Sequence, residues 1–125
     1  MGTDEFSAME RKVTLSWLLA FYGNVLTENQ REMARLHWEE DLSLAEIAAQ
    51  FSVSRQSVYD TVSRTEKQLD GWEEKLGMLR RFRAAEDGLN RCRAELAKIQ
   101  ASPDTEKHLR SAQKMIEALL DQEEE

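Results

Sequence analysis

Leu44, Ile47, Ala48 and Phe51 follow one another at steps of three, one and three, which puts them on one face of a short helix. Ser43 stands just before that face and Glu46 three residues after it. This is the spacing of a capping box, in which the serine oxygen accepts from the Glu46 N–H and the carboxylate accepts from the Ser43 N–H. Leu42 and Ile47 hold the two staple positions around the cap. Ser52-Val53-Ser54 then reads as a tight turn with Val53 pointing inward, and Ala48 and Ala49 are small enough for a second helix to close on the first. Ser54 is placed to cap that second helix, whose buried face opens with Val58 and Val62. Two helices across a three-residue turn, the second with a polar start, form a helix-turn-helix.

The flanks repeat the helical pattern. Val13, Leu15, Trp17, Leu18, Phe21, Tyr22, Val25 and Leu26 predict a first helix over about 13–26. Its apolar face is wide enough to be mostly buried, partly against a second chain. Thr27 and Gln30 form a second capping box, and Met33, Leu36 and Trp38 face inward from a helix over about 28–40. After Ser54 the apolar positions Val58, Val62, Thr65, Leu69, Trp72, Leu76 and Leu79 alternate in steps of four and three, a heptad seam. Gly71 and Gly77 weaken it by about 1 kcal/mol each, so a kink or break belongs near one of them. The register then slips through Phe82 and Ala85 to Leu89, Cys92, Leu96 and Ile99, so a new helix should begin between Leu79 and Ala85 or at Gly88. Ser102-Pro103-Asp104 starts a last helix that puts Leu109, Ala112, Met115, Ile116 and Leu119 on one side and folds back as an antiparallel hairpin.

Composition supports helix: one residue in three is charged and Pro103 is the single proline of 125 residues. No run is long and apolar enough to cross a bilayer, residues 1–10 have no secretory core, and the single Cys92 fits a reducing cytoplasm. Residues 1–8 read as a leader or frayed end, with Met9 a natural start, and Glu123–Glu125 as disordered. The formal net charge of −7 changes the functional picture most. A protein that binds nucleic acid through phosphate neutralisation is usually basic. Residues 27–70 carry five bases against nine acids, so any nucleic-acid contact must be local.

Two candidate sites follow. The second helix of the motif offers Ser54, Arg55, Gln56, Ser57, Tyr59 and Arg64 to a groove, with Asp60 and Ser63 on the same side. Arginine pairs with guanine and glutamine with adenine, while Asp60 repels phosphate, so a scaffold used for packing and protein contact stands beside DNA reading. The second candidate is Lys75, Arg80, Arg81, Arg83, Arg91 and Arg93, opposed over 75–93 by Glu86 and Asp87 alone; this suits RNA or an acidic partner, or is a solvated face. His37 and His108 lie far apart, Cys92 continues an apolar stripe, and no metal-ligand spacing or phosphate loop occurs. The residues therefore suggest no enzyme, no metal and no cofactor. Trp17, Trp38 and Trp72 read as core or interface anchors, and Trp72, on the seam, is the one placed to meet another chain.

Leu26-Thr27-Glu28-Asn29-Gln30-Arg31, Leu42-Ser43-Leu44-Ala45-Glu46-Ile47-Ala48 and Val53-Ser54-Arg55-Gln56-Ser57-Val58 resemble the promoter-reading C-terminal domain of bacterial sigma factors. With Phe21-Tyr22, the run Ser54 to Lys67, Leu69 and Glu74-Lys75-Leu76, the chain over about 12–82 is more closely similar to the YlxM family of small bacterial proteins. That resemblance implies a helix-turn-helix regulator of the signal recognition particle pathway, whose members are typically encoded beside the particle's GTPase or its receptor. It implies no catalytic residue. The expectation is an all-α protein: residues 1–8 as leader, a sigma-like helix-turn-helix domain over 9–82, and a long helix feeding a C-terminal hairpin over 83–125. The chain is expected to dimerise, to lie in the cytoplasm and to bind the particle's GTPase, its RNA or both, with sequence-specific DNA binding as the alternative.

Overall fold

The computed structural model describes residues 2–124, with side-chain surroundings for 8–121. Among the described residues there are six α-helices, one short 3-10 turn and no strand. They divide into two compact units, Met1–Leu79 and Arg80–Glu125.

In the first unit α1 spans Gly2–Tyr22 and passes through the 3-10 turn Gly23–Val25 into α2, Glu28–Trp38. The first helix thus begins well before Val13 and closes at Tyr22 rather than Leu26. Gly23 is buried, and Leu26 turns extended to deliver Thr27 as the cap of α2. Both halves of that capping box form: Gln30 N donates to Thr27 Oγ1 at 3.2 Å and Thr27 N to Gln30 Oε1 at 3.1 Å. Gln30 is buried and satisfied at both ends, because its Nε2 donates to Gln68 at 2.7 Å. Helix α3, Leu44–Phe51, and helix α4, Arg55–Leu76, complete the bundle. Helix α4 packs against α1, α2 and α3. Its inward face is Val58, Val62, Thr65 and Leu69, all buried, and Thr65 returns its hydroxyl proton to the Thr61 carbonyl at 2.8 Å. They meet Leu15, Leu18 and Leu19 of α1, Met33 and Leu36 of α2, and Ile47 of α3 in one core. The first helix is not buried all round: Val13 is exposed and lines an open cleft with Trp38, Glu39 and Asp41, and Val25 is exposed beyond the helix end.

The heptad seam breaks at Gly77, one of the two glycines expected to interrupt it. Gly77 has φ 63°, a left-handed conformation that glycine adopts without a Cβ clash. The next helix, α5, therefore starts at once, at Met78, and runs to Ala97 through Gly88. Its first N–H groups are met from a distance along the chain. Met78 N donates to the Tyr22 hydroxyl at 3.2 Å, and Leu79 N to Glu73 Oε1 at 3.0 Å. Tyr22 in turn donates to the same Glu73 oxygen at 2.8 Å. Tyrosine and carboxylate together pin the end of α1, the end of α4 and the start of α5.

In the second unit, α5 and α6 (Pro103–Glu124) are joined by residues 98–102, and residues of both line a common cleft. The inward side of α5 is Phe82, Glu86, Leu89 and Leu96; Ala85, Cys92 and Ile99 are exposed, so the cysteine is not packed. On α6 the inward side is Leu109, Ala112, Ile116 and Leu120, whereas Met115 and Leu119 point to solvent. The face is turned by part of a helical step because Leu120, not Leu119, continues the row. At the α6 start, Ser102 N donates to Thr105 Oγ1 at 3.0 Å. Met1 and Glu125 lie outside the described residues, as do the side chains of 2–7 and 122–124, on which most of the leader and tail expectations fall.

Replacing Tyr22 by phenylalanine leaves Met78 N without its partner and Glu73 with one donor fewer. The expected loss is about 1–3 kcal/mol in denaturant unfolding followed by tryptophan fluorescence; unchanged stability would show that the pin is idle.

Candidate functional site

The helix-turn-helix is built by its caps. Glu46 N donates to Ser43 Oγ at 3.1 Å and Ser43 N to Glu46 Oε1 at 3.0 Å, so the box read from the sequence forms. The Ser43 N–H, then its hydroxyl, holds the Glu46 carboxyl below the usual carboxylate range. Helix α3 ends at Ser52, whose φ of 55° and ψ of 43° are left-handed for a residue that has a Cβ. Val53 N reaches back to the Ala48 carbonyl at 3.1 Å, closing the turn. Val53 is nonetheless 40% exposed and Ala49 is exposed; Ile47 and Ala48 make the contact that brings α4 in. Ser54 caps α4 through its hydroxyl, which accepts from Ser57 N at 3.0 Å. Ser54 is thus a structural cap as well as a surface hydroxyl.

Helix α1 steadies the motif by ion pairs. Lys12 meets Asp41 at 2.8 Å, and Ser16 donates to Glu39 at 2.8 Å, so the acidic linker between α2 and α3 is held down. Asp41 sits at φ 56°, and the Lys12 hydrogen bond, then the Lys12 charge, lowers its pKa. His37 Nδ1 lies 2.9 Å from the Leu42 carbonyl in the same linker. Arg11 bridges Glu66 at 3.2 Å and Asp70 at 2.5 Å, which neutralises two acids on the flank of α4.

The outward side of α4 presents Arg55, Gln56, Ser57, Tyr59 and Arg64, all exposed. Arg55 and Arg64 have no ion-pair partner among the described residues. Tyr59, Asp60, Ser63, Arg64 and Lys67 line an open depression of about 530 Å³. Within that face Gln56 Nε2 donates to Asp60 Oδ1 at 2.9 Å. The side chain best suited to adenine already spends a donor on an acid in the same face. The spacing of four made this pair readable in advance. The Tyr22–Glu73 pin, across 51 residues, had no such signal.

The basic candidates divide between the two units. Lys75 stands on α4 in the first unit. On α5, Arg80, Arg83 and Arg91 share the side opposite Leu89 by helical periodicity, with Arg81 about a quarter-turn away. Arg91 pairs with Asp87 at 3.0 Å. Arg93 donates to Asn90 at 2.7 Å and lines the α5–α6 cleft with Glu86, Glu117 and Asp121. Lys75, Arg81 and Arg83 remain as exposed cations without an ion-pair partner among the described residues. Among the described residues no group of three or more His, Cys, Asp or Glu could hold a metal, and no helix is long and apolar enough to cross a membrane.

Residues 9–109 match the model of the UPF0122 family, described as "Putative helix-turn-helix protein, YlxM / p13 like". UPF0122 proteins of Bacillus cereus strain AH187, Bacillus anthracis strain A0248 and Bacillus thuringiensis subsp. konkukian strain 97-27 are each 36% identical over 108 residues, covering 86% of this chain and 92% of theirs. The chain belongs to this family.

Two outcomes follow from the motif. The lowered Glu46 pKa contributes stability that is present above the ordinary glutamate value and is lost as pH falls through the folded-state value. Glu46→Gln should therefore flatten the decline of Tm on acidification, measured by circular dichroism; an identical decline would contradict it. Asp60→Asn removes one negative charge facing a docked phosphate, worth about 1 kcal/mol, so affinity for a random duplex at low salt should rise about fivefold by fluorescence anisotropy. Unchanged affinity would show that Asp60 does not govern the face.

Proposed function

We propose that this member of the YlxM / p13-like family is a regulatory or accessory protein of the signal recognition particle pathway, using the helix-turn-helix as a scaffold to bind the particle's GTPase, its RNA or both. The observation that carries the reading is the Gln56–Asp60 pair. A reading helix with an acid at its centre, in a chain of net charge −7, suits a protein or one structured RNA better than the uniform phosphate surface of duplex DNA. The resemblance of the chain to its family points to the particle rather than to another partner. Arg81 and Arg83 on α5 supply exposed guanidinium groups for an acidic protein surface or for RNA phosphates. The pathway operates in the cytoplasm, which fits a chain whose only cysteine, Cys92, is free and exposed.

A second reading is a sequence-specific transcription regulator. Arg55, at the capped start of α4, and Arg64, more than two turns along it, favour it, since both are exposed with no ion-pair partner among the described residues.

The test is a titration of the purified chain against the particle's GTPase, its RNA and the assembled particle. Arg81→Ala with Arg83→Ala should weaken particle binding at least tenfold, and should flatten the salt dependence by a slope of about one to two if RNA phosphates are the contact. Failure of the unaltered chain to bind any of the three would overturn the proposal. A genomic-DNA selection that returns one enriched motif, relaxed by Arg55→Ala, would establish the second reading instead.

A further inference from the structure

The far end of the first unit holds an apolar cleft of about 370 Å³ whose lining includes Phe21, Val25, Trp72, Leu76 and Met78. Three separate pieces of chain converge there: the 3-10 turn, the last turn of α4 and the first residue of α5. Val25 is 68% exposed, Leu76 50% and Met78 42%, although all three are residues of the kind that cores are made from. We infer that this cleft is the face through which two copies of the chain associate.

Charge argues for a second copy as the occupant. No residue lining the cleft carries a formal charge, in a chain that is one-third charged and has a net charge of −7. Two copies repel over most of their surfaces, so an uncharged apolar patch is where they approach at least cost and gain from burial. Nucleic acid and anionic membrane are poor occupants, because both are held by Lys and Arg, which this lining lacks. Shape argues the same way. A two-fold interface must be self-complementary, and this patch carries projecting aliphatic side chains, Val25 and Leu76, beside a cavity large enough to admit one. The seam of α4 supplies continuity. Val58, Val62, Thr65 and Leu69 are buried in the core, and the same spacing runs on into Trp72, half-buried beside Tyr22 of α1, and Leu76, which is exposed.

Sedimentation velocity on the full chain over a roughly hundredfold concentration range tests the inference, since self-association follows mass action. A mass rising toward two chains is expected. Val25→Glu and Leu76→Glu should each raise the dissociation constant at least about tenfold, because each buries an unpaired carboxylate at the interface. Val25 lies on the surface, so its variant should keep the far-ultraviolet spectrum and melting curve even if Leu76→Glu folds poorly. Val13→Glu, on the exposed side of α1, should leave the dimer intact. A single-chain mass at every concentration overturns the inference. So does a dimer that survives Val25→Glu, or one that Val13→Glu breaks while Val25→Glu does not. If the single chain instead captures a partner that Val25→Glu releases, the cleft is a docking site for another protein and the inference also fails.

Discussion

Burial of one face of α4 is the constraint on which the first unit depends. Val58, Val62, Thr65 and Leu69 are the buried face of α4, the helix that packs against α1, α2 and α3 alike. Each of those helices is amphipathic, and α3 is only eight residues long, too short to persist alone in water. Removing the face would leave three helices with nothing common to pack on. Thr65 shows how closely the site is filled: it is a polar residue with no exposed surface, tolerated because its hydroxyl bonds the carbonyl one turn back.

The inward face is committed to packing, which leaves the outward one for the proposed partner contact. There the chemistry is mixed by design of the chain rather than uniformly basic. Arg55 and Arg64 are available, Asp60 engages Gln56, and the acids Glu66 and Asp70 are neutralised by Arg11 from α1. Under the proposed function, such a face would select partners by charge pattern rather than attract any polyanion. The Tyr22–Glu73 pin adds a second constraint, since it ties the first residues of α5 to the body of the motif. Gly77, left-handed at φ 63°, is the turn that brings Met78 and Leu79 within reach of that pair.

The local signals were legible in the sequence. Both capping boxes, the Ser54 cap and the Val58–Leu69 part of the α4 seam form as their spacing requires, because each depends on residues three or four apart. What escaped depended on distance or on rotation. The α5 start at Met78 rests on Tyr22, more than fifty residues away, so a glycine inside the helix (Gly88) looked as plausible a boundary. The α6 face was misplaced by one residue, Leu119 for Leu120, because adjacent leucines give periodicity no way to choose. Cys92 and Val53 were expected inside on apolar character alone, and both are exposed where no second helix comes to cover them. At the candidate site, the sequence names Gln56 and Asp60 but not the hydrogen bond between them, which their spacing of four allows. The side of α5 shared by Arg80, Arg83 and Arg91 could also have been read from helical geometry.

The most direct measurement of the central claim is recovery of the chain with its bound material from native lysate, treated in parallel with RNase and DNase, then analysed by mass spectrometry and sequencing. The account predicts the signal recognition particle GTPase or its RNA, retained after DNase. DNA fragments that share one motif, retained after RNase and without the GTPase, would contradict it.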